Sequence, residues 1–315
     1  MIIHGGDYEH TLSVTSERGG INLEYRPTAM GDLFGRVLQR QPFDVCEFSL
    51  ANYIKMRDSG ADWLLAVPVF PNRAFRHGTL MVRQDSTIES FAELRGRRVG
   101  IADYSMTGGV WGRGLLNEIY GVHWSDIDWV STSQPRFAPP AAVRISLVAE
   151  NLEDMLADGH IDALLDPANR DAILPLARRR FRSLLRNHEA EELRYYRETG
   201  IFPIHHTLVI NRGSLRANPG LPTAVFEAYS QSMEIAKRRR LGASLIPWSN
   251  HAWGRIMDIF REEPVQYGLG PANRKVIDKL QDYLLEQQLI SRRHALTELF
   301  APIEGDEGSE EYVGA

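Results

Sequence analysis

Short apolar runs of strand length alternate along this chain with segments of helical period, and that alternation restricts the fold more than any other feature. Ile21, Leu23 and Tyr25 recur at every second position, as on a half-buried strand, and Leu33, Val37 and Leu38 then recur at helical spacing. Phe43-Asp-Val-Cys-Glu-Phe48 is another strand run, closed by Ser49, whose hydroxyl can cap a helix carrying Tyr53 and Met56. Residues 63–70 and 78–83 are further apolar runs. A second series starts near residue 87, with a short helix through Ile88, Phe91 and Leu94 and a strand over 97–102. A helix over 106–120 opens on Thr107-Gly108-Gly109, and a strand over 124–130 follows. Leu152, Met155 and Leu156 then mark a helix ended by Gly159, ahead of a strand at 161–166. Residues 202–211 read as one long strand, and the remainder to 300 as mostly helical, including a helix over 273–289. The stretch 131–150, with Pro135, Pro139 and Pro140, is expected to be irregular. Such alternation predicts an α/β fold of parallel strands covered by helices on both sides.

Length and composition narrow the function classes. A chain of 315 residues, 43% apolar and 24% charged, suits one large or two medium globular domains. No apolar run approaches the ~20 residues that span a bilayer. The single cysteine, Cys46, excludes an internal disulfide. The opening Met1-Ile-Ile-His-Gly-Gly-Asp7 lacks the basic and apolar regions of an export signal, so a cytoplasmic location is expected. Glu304, Asp306, Glu307, Glu310 and Glu311 account for the whole excess of 41 acidic over 36 basic residues, and 304–315 is expected to be a disordered acidic tail. The body is then neutral and lacks the basic footprint of a nucleic-acid binder. The Arg178–Arg180 and Arg238–Arg240 clusters read as solvated helix faces.

Open α/β sheets bind ligands beyond the carboxyl ends of their strands. Ser105-Met-Thr-Gly-Gly109 directly follows the strand at 97–102, and its glycines and helix N–H groups suit an anion. It has neither the spacing of a dinucleotide loop nor the lysine of a P-loop, and a plain helix cap is the alternative. Arg76 and Arg113 are the cations expected near that anion, because a guanidinium holds a carboxylate by two parallel bonds. For Arg113 a surface role is the alternative. His10, His77 and His206 come from separate parts of the chain at expected strand ends and are the candidate acids and bases. His205 and His206, adjacent in a strand, point to opposite faces and cannot chelate together, which favours His206. Asp7 and Asp166 are further candidates, with turn bonding as the alternative. Cys46, inside an apolar strand, reads as a small buried residue. Without H-E-x-x-H, C-x-x-C or G-x-S-x-G, zinc-peptidase, zinc-ribbon and hydrolase readings have no support.

The order of elements, with Leu94-Arg-Gly-Arg-Arg-Val-Gly100 and Gly159-His-Ile-Asp-Ala163, resembles the type II periplasmic-binding-protein fold. More narrowly, several stretches are similar to the 4,5-dihydroxyphthalate decarboxylase family across nearly the whole chain. They are Asp7-Tyr-Glu-His-Thr11, Phe43-Asp-Val45, Phe75-Arg-His-Gly78, Arg97-Arg-Val-Gly100, Tyr104-Ser-Met-Thr-Gly-Gly-Val-Trp111, Phe202-Pro-Ile-His-His-Thr207 and Leu285-Glu-Gln-Gln-Leu289. The resemblance implies two lobes, 1–82 with 206–303 and 83–205, joined by crossover strands near 78–83 and 205–210, with the ligand in the cleft between them. It implies decarboxylation of a hydroxylated aromatic dicarboxylic acid by ring protonation and CO₂ loss. His77 or His206 would donate the proton, and His10 or Asp7 would polarise a ring hydroxyl. Arg76 and the turn Ser105, Thr107, Gly108 and Gly109 would hold the retained carboxylate, with Ser49, Trp111 and Arg113 also binding substrate. No cofactor is expected, since the ring hydroxyl supplies the electrons; a divalent metal is left open, as is self-association. The expected partner is a small aromatic acid, with no nucleic acid and no membrane. The rival reading is a solute-binding protein that captures an aromatic or other organic acid without chemistry; the lack of an export signal counts against it.

Overall fold

The strand runs are shared between two separate six-stranded sheets in a computed structural model of the chain, which describes residues 1–167, 170–242 and 247–304. In chain order the strands are β1 (Ile2–Gly5), β2 (Ser16–Arg18), β3 (Ile21–Pro27), β4 (Val45–Ser49), β5 (Leu64–Val67) and β6 (Leu80–Arg83). They continue with β7 (Arg98–Ile101), β8 (Asp128–Ser131), β9 (Arg144–Leu147), β10 (Ala163–Leu165), β11 (Phe181–Ser183) and β12 (His206–Asn211). The first sheet has the order β2-β3-β1-β4-β12-β5 and the second β11-β6-β10-β7-β8-β9. The chain divides accordingly into a first unit, 1–73, 204–277 and 294 onward, and a second, 74–203 with 278–293.

Several expectations need correction. The boundary expected at 82/83 falls at 73/74, because β6 pairs with β10 and β11 of the second sheet. The two runs expected as crossover strands each lie within one sheet, β6 in the second and β12 in the first. Residues 278–293 also belong to the second unit, where Tyr283 and Gln287 pack on the helix Thr107–Tyr120. The sheets are mixed rather than parallel, β12 running antiparallel to β4 and β5 and β6 antiparallel to β10 and β11. Each of these strands enters its sheet just after the chain has come from the other unit, so no βαβ crossover sets its direction. The stretch 131–150 contains β9, an edge strand parallel to β8 whose largely exposed side chains leave no apolar alternation to read. Of the expected acidic tail only Glu304 is described, its N–H donating to Thr223 Oγ1 at 3.2 Å; 305–315 lie outside the described residues.

In the first unit Ile3, Val45, Val67, Leu208 and Ile210 of the sheet are covered by Leu221, Ala224, Val225, Ala228 and Tyr229 of the helix Leu221–Gly242. The second unit packs Met81, Val130 and Leu164 of its sheet against Leu152, Met155 and Leu156 of the helix Leu152–Ala157. Full burial of each such side chain contributes ~1.5–3 kcal/mol. Among the described residues no helix is long and apolar enough to cross a membrane. The helix Thr107–Tyr120 approaches its neighbour most closely at Gly114, where a Cβ would fall inside the Tyr283 ring. Gly114→Ala is therefore expected to destabilise the fold by ~1–3 kcal/mol through overpacking. Urea unfolding measures this, and an unchanged midpoint would refute the close approach.

Candidate functional site

Strand register places an ionisable pair at the carboxyl end of β4. Leu208 of β12 lies opposite Glu47 and His206 opposite Ser49, so Glu47 and His206 are diagonal neighbours on one face of the sheet. His206 Nδ1 is 2.6 Å from Glu47 Oε1. The same oxygen accepts the Tyr8 hydroxyl at 2.9 Å, and Oε2 accepts the Gly6 N–H at 2.8 Å. Both donors follow β1, whose Ile3 and His4 pair with Val45 and Cys46. Glu47 is fully buried. Burial by itself drives the carboxyl upward, but the His206 bond and charge, the Gly6 N–H and the Tyr8 hydroxyl outweigh it and hold the group below the usual carboxylate range. The His206 ring meets the edge of Phe34 at 5.3 Å, and its Nε2 has no partner among the described residues. Neither Glu47 nor Tyr8 stood out as a chemical group in the sequence. The available signal was a carboxylate set between Cys46 and Phe48 in an apolar strand run, since a buried acid needs donors close by.

His10 joins the same network. Its Nε2 donates to the Pro71 carbonyl at 3.0 Å, and its ring stacks on Tyr8 at 5.2 Å. Burial lowers its basicity, with the Pro71 carbonyl and Glu47 opposing that trend. A neutral His10 would present Nδ1 as an acceptor. Of the other expected residues in this unit, Asp7 is exposed. Ser49 is buried and caps the helix Leu50–Asp58, accepting the Asn52 N–H at 3.4 Å. Burial pushes the Cys46 thiol up to about 12, which leaves it unreactive as a nucleophile.

The second unit brings Arg76 to the first turn of the helix Thr107–Tyr120. A Cβ on Gly108 would lie 3.2 Å from Pro167 Cγ and 3.4 Å from Arg76 Nε, so any side chain here would crowd the approach. The helix has no side-chain cap at Met106. Arg76 is buried, and its guanidinium makes no hydrogen bond to any described residue. Burial lowers its pKa to about 10, against the pull of Glu192 and Asp166, neither of which is close enough to pair with it. An unpaired buried cation beside an uncapped helix N-terminus is an arrangement that an anion completes.

The remaining expected residues of this unit are distributed differently. Ser105 donates its N–H and hydroxyl to Asp103 Oδ1 at 2.7 and 2.6 Å and so shapes the turn. Thr107 is buried where the helix begins. Trp111, expected to bind substrate, is fully buried edge-on to Tyr283 at 5.4 Å and packs the interior. Arg113 is no surface charge. It is fully buried, its Nε donates to Gln287 at 2.8 Å, and its guanidinium lies 3.7 Å over the Tyr104 ring. Its two Nη atoms have no hydrogen-bond partner among the described residues, and a Cβ on Gly109 would lie 3.0 Å from Nη1. His77 is buried against Tyr195 at 5.3 Å, with Nδ1 unpartnered and its basicity lowered by burial. Among the described residues no three His, Cys, Asp or Glu side chains are grouped to hold a metal ion.

Comparison with known proteins adds family and fold. Residues 7–212 match the family described as "ABC transporter, phosphonate, periplasmic substrate-binding protein". A 4,5-dihydroxyphthalate decarboxylase of Comamonas testosteroni is 30% identical over 285 residues, 86% of each chain. One of Pseudomonas putida is 36% identical over 146 residues, 43% of this chain and 57% of the relative. Among solved structures, the periplasmic aliphatic sulphonate binding protein SsuA of Escherichia coli superposes with a TM-score of 0.59 at 15% identity, covering 96% of this chain and 92% of that one. The desulfurization enzyme DSZB superposes with a TM-score of 0.53 at 17% identity, covering 99% and 98%. These structures share the type II periplasmic-binding-protein-like fold with this chain.

Proposed function

The chain belongs to the 4,5-dihydroxyphthalate decarboxylase family, built on a periplasmic-binding-protein-like fold, and we propose that it releases CO₂ from a hydroxylated aromatic dicarboxylic acid of the 4,5-dihydroxyphthalate kind. The observation that carries this reading is the buried Glu47–His206 pair, an oriented imidazole with one ring nitrogen left for chemistry. The reaction needs a carboxylate anchor and a proton donor. Arg76 and the turn 105–109 bind the carboxylate that is retained. His10 accepts from a ring hydroxyl, which pushes electron density into the ring. His206 gives its Nε2 proton to the ring carbon that bears the departing carboxylate. The carbon–carbon bond then breaks, its electron pair restores the aromatic ring, CO₂ leaves, and solvent reprotonates His206. A positioned acid supplies ~10²–10⁴-fold; orientation and exclusion of water supply the rest. His77 is the weaker candidate for donor, because among the described residues no carboxylate is bonded to its ring.

The family match to substrate-binding proteins favours one rival, capture of the same acid without chemistry. Calorimetric titration with 4,5-dihydroxyphthalate, paired with CO₂ measurement on the same preparation, separates the two. The expected result is stoichiometric CO₂ release. Tight binding with no CO₂, with metals supplied and withheld, would leave the solute-binding reading in its place.

A further inference from the structure

We infer that Glu47 is the positioning residue of the reaction: it holds the His206 proton on Nδ1, so that Nε2 is the nitrogen that carries the proton to substrate. This rests on the decarboxylase reading for its purpose and on the first unit alone for its geometry. Nδ1 lies 2.6 Å from Glu47 Oε1, and an ionised carboxylate accepts only, so the proton between them sits on nitrogen. Glu47 is itself held in place, with Tyr8 donating at 2.9 Å and Gly6 at 2.8 Å to its two oxygens. His206 is side-chain exposed to 14% and Glu47 to 0%, so the acid is sealed inside while the imidazole reaches the surface of the unit. Every donor around the carboxylate favours its charge, and that charge pairs with the imidazolium until the proton has moved to carbon. A sealed carboxylate whose outermost partner is a half-buried imidazole has the form of a tautomer clamp.

The test is Glu47→Gln. An amide presents one acceptor and one donor, whereas the Gly6 N–H is a fixed donor. The oxygen of the new side chain therefore turns to Gly6 and its NH₂ to His206, and the imidazole moves its proton to Nε2. A neutral imidazole does not release that proton near neutral pH. Nitrogen-15 NMR of the substrate-free protein, read on the neutral form of the ring, should show the His206 proton on Nδ1 in the wild type and on Nε2 in Glu47→Gln. With 4,5-dihydroxyphthalate, kcat should fall by ~10²-fold or more and KM by less than about threefold, because the loss falls on the transition state. Tyr8→Phe keeps the charge and the His206 bond; it should retain the Nδ1 signature and kcat within about tenfold. A neutral wild-type imidazole that carries its proton on Nε2 instead of Nδ1, or a Glu47→Gln protein with unchanged tautomer and turnover, overturns the assignment. If Glu47→Gln does not fold, the wild-type spectrum and Tyr8→Phe still decide: a tautomer lost in Tyr8→Phe with Glu47 intact also overturns it. A wild type with the Nδ1 signature but no turnover overturns the decarboxylase reading instead.

Discussion

His206→Ala is expected to lower CO₂ release from a 4,5-dihydroxyphthalate-like substrate by ~10²–10⁴-fold, the contribution of a positioned general acid. Substrate affinity should stay within about an order of magnitude, ~1.4 kcal/mol. The split follows from where a proton donor acts: it stabilises carbon protonation in the transition state and contributes little to holding the ground-state acid. The free side is Nε2, with Nδ1 committed to Glu47. Removing the ring leaves Glu47 buried with Tyr8 and Gly6 as its remaining donors. Some stability should therefore be lost too, and turnover is to be measured well below the unfolding midpoint. Calorimetry and CO₂ release on one preparation check the result. His77→Ala in the same assay identifies the donor: loss of turnover there with His206→Ala fully active would move the role to the second unit.

How far the chain could be read in advance depended on which residues carry a periodic signal. The run Phe43–Phe48 announces a strand, and β4 takes it from Val45 on to Ser49, every residue of it buried. That same run hides the site. Glu47 becomes chemical only through the register that sets His206 diagonally beside it and through a loop after β1 that delivers Gly6 and Tyr8. Contacts between residues 6, 8, 47 and 206 have no local signature in a single sequence. Arg113 shows the same limit from the other side. Its helical position was legible, but that Gln287 and Tyr104 enclose it depends on a segment that returns to the second unit after residue 277. The unit boundary was misplaced for a related reason: an apolar run such as Leu80–Arg83 says that a strand forms, not which sheet receives it. The turn after β7 was legible, since glycines next to a strand end have few other uses, and Arg76 does lie against it.

Arg76→Met should separate binding from folding with opposite signs. In the free protein the Arg76 guanidinium is buried and makes no hydrogen bond to a described residue, and burial brings its pKa down to about 10 despite the opposing carboxylates. Glu192 and Asp166 act on it only at a distance. A charge in that state opposes folding, and a methionine of similar length keeps the packing without it. Replacing buried charges by apolar residues is often neutral or stabilising by up to ~4 kcal/mol. The Arg76→Met protein should therefore unfold at the same or a higher urea concentration than the wild type. Affinity for the aromatic dicarboxylate should move the other way. Removing one partner of a buried, hydrogen-bonded charge pair costs ~2–5 kcal/mol, and the first turn of the helix Thr107–Tyr120 would keep only its N–H groups for the anion. Because the carboxylate is present in ground and transition states alike, the loss should appear in KM and in calorimetric affinity before it appears in kcat. A variant that binds normally but unfolds early would make Arg76 a structural residue and take the anchor away from this turn.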